Sequence, residues 1–94
     1  MKVLGTDVLF DFCESHPDST SSIKAWLAFV EDQNWEKFAD IKNDYNHADW
    51  VGNRKVVFNL KGNNFRLLVQ VAFNTGYVTI EKIGSHSDYT KWKL

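Results

Sequence analysis

Hydrophobic residues in the first half of the chain recur at intervals of three and four, the pattern of helices that bury one face. The first such stripe consists of Val8, Leu9, Phe12 and Cys13. It ends at His16-Pro17, because the residue before a proline avoids the helical region of backbone conformation. The pattern therefore predicts a helix that ends near residue 16.

Two further helices are predicted before the middle of the chain. The second has apolar residues at i, i+3, i+4 and i+7, namely Ile23, Trp26, Leu27 and Val30, and either Asp18 or Ser19 is expected to cap its N-terminus. The third is shorter and is expected after Asn34, where it buries Trp35, Phe38, Ala39 and Ile41. The polar stretch 42–46 is predicted to be a loop.

From Arg54 onward the period changes to two, which indicates half-buried strands. The first strand alternates through Val56, Phe58 and Leu60, and the second through Phe65, Leu67, Val69, Val71 and Phe73. Residues 62–64 and 74–76 are rich in glycine and asparagine, which tolerate positive φ, and they predict the two hairpin turns. A third strand is expected over residues 77–83.

Helices followed by sequential hairpins predict an α+β fold with N-terminal helices packed on one face of a small antiparallel sheet. The other face of the sheet is expected to stay partly open. Residues 1–4 are a candidate edge strand, and residues 87–94 predict a short C-terminal helical turn. No linker or internal repeat interrupts the sequence, so residues 1–94 are expected to form a single domain.

The amino-acid composition is that of a protein with one small hydrophobic core, and it also indicates the cellular compartment. The chain has 94 residues, of which 44% are hydrophobic and 15% aromatic. No apolar run approaches the roughly 18 residues that span a bilayer, and the N-terminal sequence does not resemble a secretory signal. With Cys13 as the only cysteine, no intrachain disulfide can form. A cytoplasmic protein without membrane association is therefore expected.

Charge is divided unevenly along the chain, although the net charge is only -1. Residues 1–50 contain four lysines and ten acidic residues, whereas residues 51–94 contain seven basic residues and two acidic ones, so the halves carry -6 and +5. This asymmetry predicts an anion-binding surface in the second half.

Several residues of the second half have the chemistry for metal-free RNA cleavage. Four of them alternate out of phase with the apolar side chains and are expected on the open face of the sheet: Lys55, Asn59, Lys61 and Arg66. Arg66 suits stabilisation of a pentavalent phosphorane, while His86 and Tyr89 lie three residues apart and could exchange protons as base or acid.

Structural roles are also open for the same residues. An arginine in a strand is more often solvated or paired with a carboxylate, His86 could be held by Asp88, and Tyr89 could cover the sheet edge. The pairs His47/Asp49 and His86/Asp88 offer metal donors, but two ligands in a turn are a weak signal, and no metal or cofactor is expected. Sequences typical of nucleotide-binding loops are absent.

Two segments, V57-F-N-L-K-G-N-N-F-R-L-L-V69 and V78-T-I-E-K-I-G-S-H-S-D-Y-T-K91, together resemble the HigB toxin family. The family pattern is similar to F-N-x-x-G-N-x-x-R-L followed by G-T-H-x-x-Y-D. Asn63 and Arg66 match the first motif, and His86 and Tyr89 match the second. Glu81 departs from the family, in which an arginine is frequent at this position, and Lys82 could compensate for it.

The resemblance implies a RelE-like fold and a ribosome-dependent endoribonuclease that cuts mRNA. It also implies a helix-turn-helix antitoxin of the HigA type as partner. The catalytic residues would be Arg66, His86 and Tyr89, with Lys61 matching a basic position only loosely. The residues expected to bind RNA are Lys55, Asn59, Asn63, Lys82 and Lys91. A module that binds RNA or antitoxin without catalysis is the alternative.

Overall fold

The computed structural model describes residues 1–92. In chain order the elements are β1 (Lys2–Leu4), α1 (Thr6–Ser15), a 3-10 turn (Pro17–Ser19), α2 (Thr20–Glu31), α3 (Phe38–Asp44), β2 (Asp49–Gly52), β3 (Lys55–Leu60), β4 (Phe65–Ala72), β5 (Tyr77–Ser85) and α4 (His86–Tyr89). The expected C-terminal helical turn is confirmed as α4, and the last two residues of its predicted range, 93–94, lie outside the described residues.

The five strands form one sheet in the order β1-β5-β4-β3-β2. Strands β2 to β5 are antiparallel neighbours, whereas β1 pairs with β5 in parallel, so the sheet is mixed and not wholly antiparallel as predicted. The α+β class, the meander and the edge strand at residues 1–4 are confirmed. Strand β2 was not predicted; it joins β3 through Asn53 and Arg54, whose φ values of 52° and 62° fit a two-residue hairpin turn.

The third helix differs from its prediction at both ends. It begins at Phe38 and continues to Asp44, so the first part of the stretch predicted as a loop is helical. Trp35 is buried ahead of the helix, and Ala39 is exposed. The start is set by Asp40, whose carboxylate accepts the backbone N–H groups of residues 36 and 37 at 2.9 and 3.3 Å.

Neither predicted cap of α2 acts as one. The Ser19 hydroxyl donates to the carbonyl of His16 at 2.7 Å, and Asp18 pairs with Lys61. The 3-10 turn Pro17–Ser19 leads directly into α2, so the chain enters this helix already coiled. The expected boundary at His16-Pro17 is correct, because α1 ends at Ser15.

The core lies between the helices and one face of the sheet, and Phe58 is near its centre. Its ring packs edge-on against Trp26 at 5.4 Å and Tyr45 at 5.2 Å, and it stacks with Trp35 at 6.3 Å. The other buried residues of the cluster include Leu9, Ile23, Val30, Ile41, Val56, Leu67, Val69, Val71 and Val78. These are largely the apolar positions that the helical and alternating patterns predict.

The opposite face of the sheet also contains buried apolar residues. Val57 and Leu68 are paired in register, alternate away from the helix-packed core and are 1% and 2% exposed. Beside them lie Glu81 and Lys82, near a bulge where the β4–β5 register shifts between Leu68 and Val69. This face is therefore covered in part by its own long side chains.

Phe58→Ala is expected to lower the free energy of unfolding by about 3–5 kcal/mol, because it empties the contact point of three aromatic rings. Urea unfolding followed by tryptophan fluorescence measures the loss. Phe10→Ala is the matched control, since Phe10 lies on α1 with 47% of its surface exposed. Equal losses from the two substitutions would contradict the placement of Phe58 at the centre of the core.

Candidate functional site

Arg66 lies near the middle of the sheet on the face away from the helical core. On β4 it pairs in register with Asn59 of β3 and Gly84 of β5, and it is only 8% exposed. One guanidinium nitrogen donates to the backbone carbonyl of Asn63 at 2.8 Å and to that of Phe65 at 3.3 Å. Within residues 1–92 no carboxylate forms an ion pair with Arg66, so its charge is oriented without being neutralised.

Tyr89 covers one side of this guanidinium. The central carbon of the Arg66 guanidinium lies 5.5 Å from the centre of the Tyr89 ring, and Trp92 packs edge-on against that ring at 5.6 Å. A cation held over an aromatic face is attracted by the ring quadrupole. Tyr89 therefore packs on the same face of the sheet as Arg66 and does not belong to the helix-packed core.

His86 begins α4, one helical turn before Tyr89, and is exposed. Its backbone N–H donates to the carbonyl of Asn64 at 3.0 Å, which ties α4 to the turn between β3 and β4. Asp88 does not hold the imidazole; its carboxylate accepts the backbone N–H of Ser85 at 3.0 Å. That hydrogen bond holds the pKa of Asp88 below its usual range.

The turn after β3 supplies the amide groups of the site. The Asn59 side-chain nitrogen donates to the side-chain oxygen of Asn63 at 3.3 Å, while the backbone carbonyl of Asn63 accepts from Arg66. These contacts join four of the residues selected from the sequence, called here the Arg66 cluster: Asn59, Asn63, Arg66 and Tyr89. His86 lies at the start of the helix that carries Tyr89.

Lys61 does not share this surface as predicted. Strand β3 ends at Leu60, and the positive φ of 49° at Lys61 breaks the alternation that had placed it beside Arg66. Its ammonium group lies 3.1 Å from a carboxylate oxygen of Asp18, next to α2. The hydrogen bond from Lys61 holds the pKa of Asp18 below its usual range.

The remaining lysines of the predicted RNA-binding set differ in their contacts with charged and aromatic side chains. The bulge in β5 brings Glu81 to within 3.1 Å of the Lys55 ammonium group, so this lysine is paired. Lys82 is exposed, with its ammonium group 5.9 Å from the centre of the Trp92 ring. Lys91 is also exposed. The sequence suggested that Lys82 compensates for the negative charge of Glu81. In the structure this charge is balanced in part by Lys55.

A groove of about 440 Å³ lies between α2 and the end of β3. It is lined by Ser22, Ala25, Trp26, Phe29, Asp44, Tyr45, Asn59, Leu60 and Lys61. Burial raises the pKa of Tyr45 to about 12, so this phenol stays protonated near neutrality. The groove contains neither Arg66 nor His86, and Asn59 is the one residue that it shares with the Arg66 cluster.

Metal chemistry finds no support in the described part of the chain. Among residues 1–92 no group of three or more His, Cys, Asp or Glu side chains is placed to hold a metal ion. The carboxylate of one H-x-D pair, Asp88, is occupied as the cap of α4. Two isolated donors do not complete the coordination of zinc or a similar ion.

Gly84 and the cap of α4 were overlooked as parts of the site. The sequence S85-H-S-D88 has the spacing of a capping box, and Ser85 and Asp88 each accept the backbone N–H of the other. A Cβ atom added to Gly84 would lie 2.9 Å from Cβ of Asp88. The capping spacing was a signal available in the sequence, whereas the close approach at Gly84 depends on the tertiary structure.

Comparison with known families assigns most of the chain to one family. The family model HigB toxin, described as the RelE-like toxic component of a toxin-antitoxin system, matches residues 19–92, a range that contains the whole Arg66 cluster and His86. No curated protein sequence matches the chain significantly. Among the described residues, no helix has the length and apolar character needed to cross a membrane. The chain belongs to the HigB toxin family and is the RelE-like toxic component of a toxin-antitoxin system, with an antitoxin as its partner.

Proposed function

We propose that this toxin is a ribosome-dependent endoribonuclease that cleaves translated mRNA in the cytoplasm and so inhibits translation. The observation that carries the proposal is the Arg66 guanidinium, which two backbone carbonyls and the Tyr89 ring hold in place while no carboxylate within residues 1–92 neutralises it. A fixed, unpaired guanidinium on an open sheet face is suited to a phosphate group. The antitoxin is proposed to be a helix-turn-helix protein of the HigA type.

The proposed reaction needs no metal ion. A base removes the proton of a ribose 2′-OH, and the resulting oxygen attacks the adjacent phosphorus to form a phosphorane. The bond to the 5′ oxygen then breaks, an acid protonates that oxygen, and the products are a 2′,3′-cyclic phosphate and a 5′-OH end. Arg66 stabilises the additional negative charge, and His86 and Tyr89 act as the proton carriers. Lys61 has no part in this step, because it pairs with Asp18.

The exposure of His86 fits a substrate that the ribosome presents. The imidazole is exposed on the surface at the start of α4. An open site orients RNA poorly by itself, so the effective concentration and alignment of the scissile phosphate must come from elsewhere. Ribosome-bound mRNA supplies both. Free RNA is therefore expected to be a much poorer substrate than translated mRNA.

Expression of the chain in a bacterium without its antitoxin is expected to arrest growth and to produce new mRNA 5′ ends within translated regions. Primer extension locates these ends, and a translation inhibitor that empties ribosomes of mRNA should remove them. Viable cells with intact mRNA would contradict the proposal.

Arg66→Ala is expected to reduce cleavage by about a hundredfold to a thousandfold, because Arg66 acts on charge that develops in the transition state. Rates are measured in a purified translation system programmed with a short mRNA. Arg54→Ala is the matched control, since it removes the same charge from the exposed tip of the β2–β3 hairpin. Equal rates for wild type and Arg66→Ala would remove Arg66 from the mechanism.

Glu81→Gln tests whether the ion pair with Lys55 limits RNA binding. The substitution frees the lysine, so affinity for single-stranded RNA should rise, and the dependence of log affinity on log salt should steepen by about 0.7 for one added phosphate contact. Fluorescence anisotropy with a non-cleavable 2′-O-methyl RNA measures both quantities. Glu31→Gln, on the exposed end of α2, controls for net charge. An identical gain from both variants would show a general charge effect.

The Lys55–Glu81 pair also favours a second candidate function, a module that binds RNA or antitoxin without cleaving RNA. This pair leaves fewer free cations on the sheet than the sequence suggests. Such a module would bind the 2′-O-methyl RNA with salt-dependent affinity and would leave translated mRNA intact. The bacterial expression experiment distinguishes the two functions directly.

A further inference from the structure

We propose that Gly84 and Asp88 are positioning residues for cleavage, which hold Tyr89 against Arg66 by fixing α4 on the surface of the sheet. This inference rests on the proposed ribonuclease function and goes beyond it, because neither residue is needed to contact RNA. Its basis is a set of short contacts between β5 and α4 directly beside Arg66.

The first contact is a close approach of α4 to β5. Gly84 is buried and pairs in register with Arg66. A Cβ atom at this position would lie 2.9 Å from Cβ of Asp88 and 3.2 Å from the ring of Trp92. Because Cβ of Asp88 is fixed to the helix backbone, the clash could be relieved only by moving α4 away from the strand. Glycine at position 84 thus sets how closely α4 approaches the sheet.

The second contact fixes the direction of α4. The Asp88 carboxylate accepts the backbone N–H of Ser85 at 3.0 Å, and the Ser85 hydroxyl accepts the backbone N–H of Asp88 at 3.2 Å. A helix of four residues has no stability by itself, because a single turn does not recover the cost of nucleation. The position of α4 therefore depends on these hydrogen bonds and on the one from His86 to Asn64.

The position of α4 affects the site through Tyr89, the residue after Asp88. Its ring lies 5.5 Å from the Arg66 guanidinium, and His86 is carried by the same helical turn. A displacement of α4 by about 1 Å would move both proposed proton carriers relative to Arg66, and misplacement on this scale costs on the order of a hundredfold in rate.

Asp88 is assigned a positioning role and not proton transfer because of its hydrogen bonds. Its carboxylate is directed to Ser85, and the hydrogen bonds from Ser85 hold its pKa below the usual range of an aspartic acid. Near neutral pH it therefore carries no proton to give and is a poor base. The charge instead strengthens the cap that holds the helix.

Cleavage by the full chain in the purified translation system tests the inference. Gly84→Ala and Asp88→Ala are expected to lower kcat by about tenfold to a hundredfold with little change in KM. Ser85→Ala should act in the same direction, whereas Ser85→Thr should restore cleavage, since threonine keeps the hydroxyl that accepts the Asp88 N–H. Ile80→Val, which trims a side chain on the helix-packed face, is the control for lost stability. All variants are assayed well below their melting temperatures.

A double-mutant cycle with Tyr89→Ala separates positioning from general destabilisation. Because α4 also carries His86, Gly84→Ala should cause a smaller further loss of rate in the Tyr89→Ala protein than in the wild type, although it should lower the melting temperature of both. The Ile80→Val control should have the same effect on rate with and without Tyr89.

Three results would overturn the inference while leaving the ribonuclease function intact: wild-type rates for Gly84→Ala, wild-type rates for Tyr89→Ala, or multiplied losses in the double variant. A wild-type protein that cleaves no translated mRNA would instead overturn the proposed function, and the inference with it.

Discussion

The alternation of strand β4 is the constraint on which the rest of the structure depends. Leu67 and Val69 face the helices and are fully buried, whereas Arg66, which precedes Leu67 in the same strand, faces the other side of the sheet. A shift of one residue in register would place the guanidinium in the apolar core, where an unpaired charge is unstable. The packing that forms the core therefore also fixes the side of the sheet on which phosphate chemistry is possible.

The side of the sheet that packs against the helices is held by many buried contacts, whereas α4 on the other side is held by few. Phe58 is packed among three aromatic rings, while α4 is a single turn that depends on a capping box and on the absence of a side chain at Gly84. Local stability is lower where few buried contacts hold an element. A site that combines a cation on β4 with the proposed proton carriers on α4 thus joins the central strand of the sheet to a helix of a single turn.

Periodicity predicted most of the fold because α2, β3, β4 and β5 bury side chains at regular intervals. It failed where a single polar contact decided the boundary: Asp40 sets the start of α3, and the positive φ at Lys61 ends β3. Strand β2 was missed because residues 49–52 are largely accessible to solvent and are defined by pairing with β3. Alternation and one hairpin are enough to place Asn59, Asn63 and Arg66 near one another, whereas the contact of Tyr89 with Arg66 depends on the packing of α4.

Charges were the least predictable feature, because their effect depends on partners that are distant in sequence. Lys61 pairs with Asp18, 43 residues away, and Lys55 pairs with Glu81 across the sheet. The charge of +5 already includes Glu81, whereas the Lys61–Asp18 pair involves an acidic residue of the first half, so +5 overstates the attraction that the second half exerts on phosphate. What remains is one oriented guanidinium beside exposed lysines. Such a surface selects a phosphate by geometry more than by the strength of its electric field, and this suits the proposed cleavage of mRNA that the ribosome aligns.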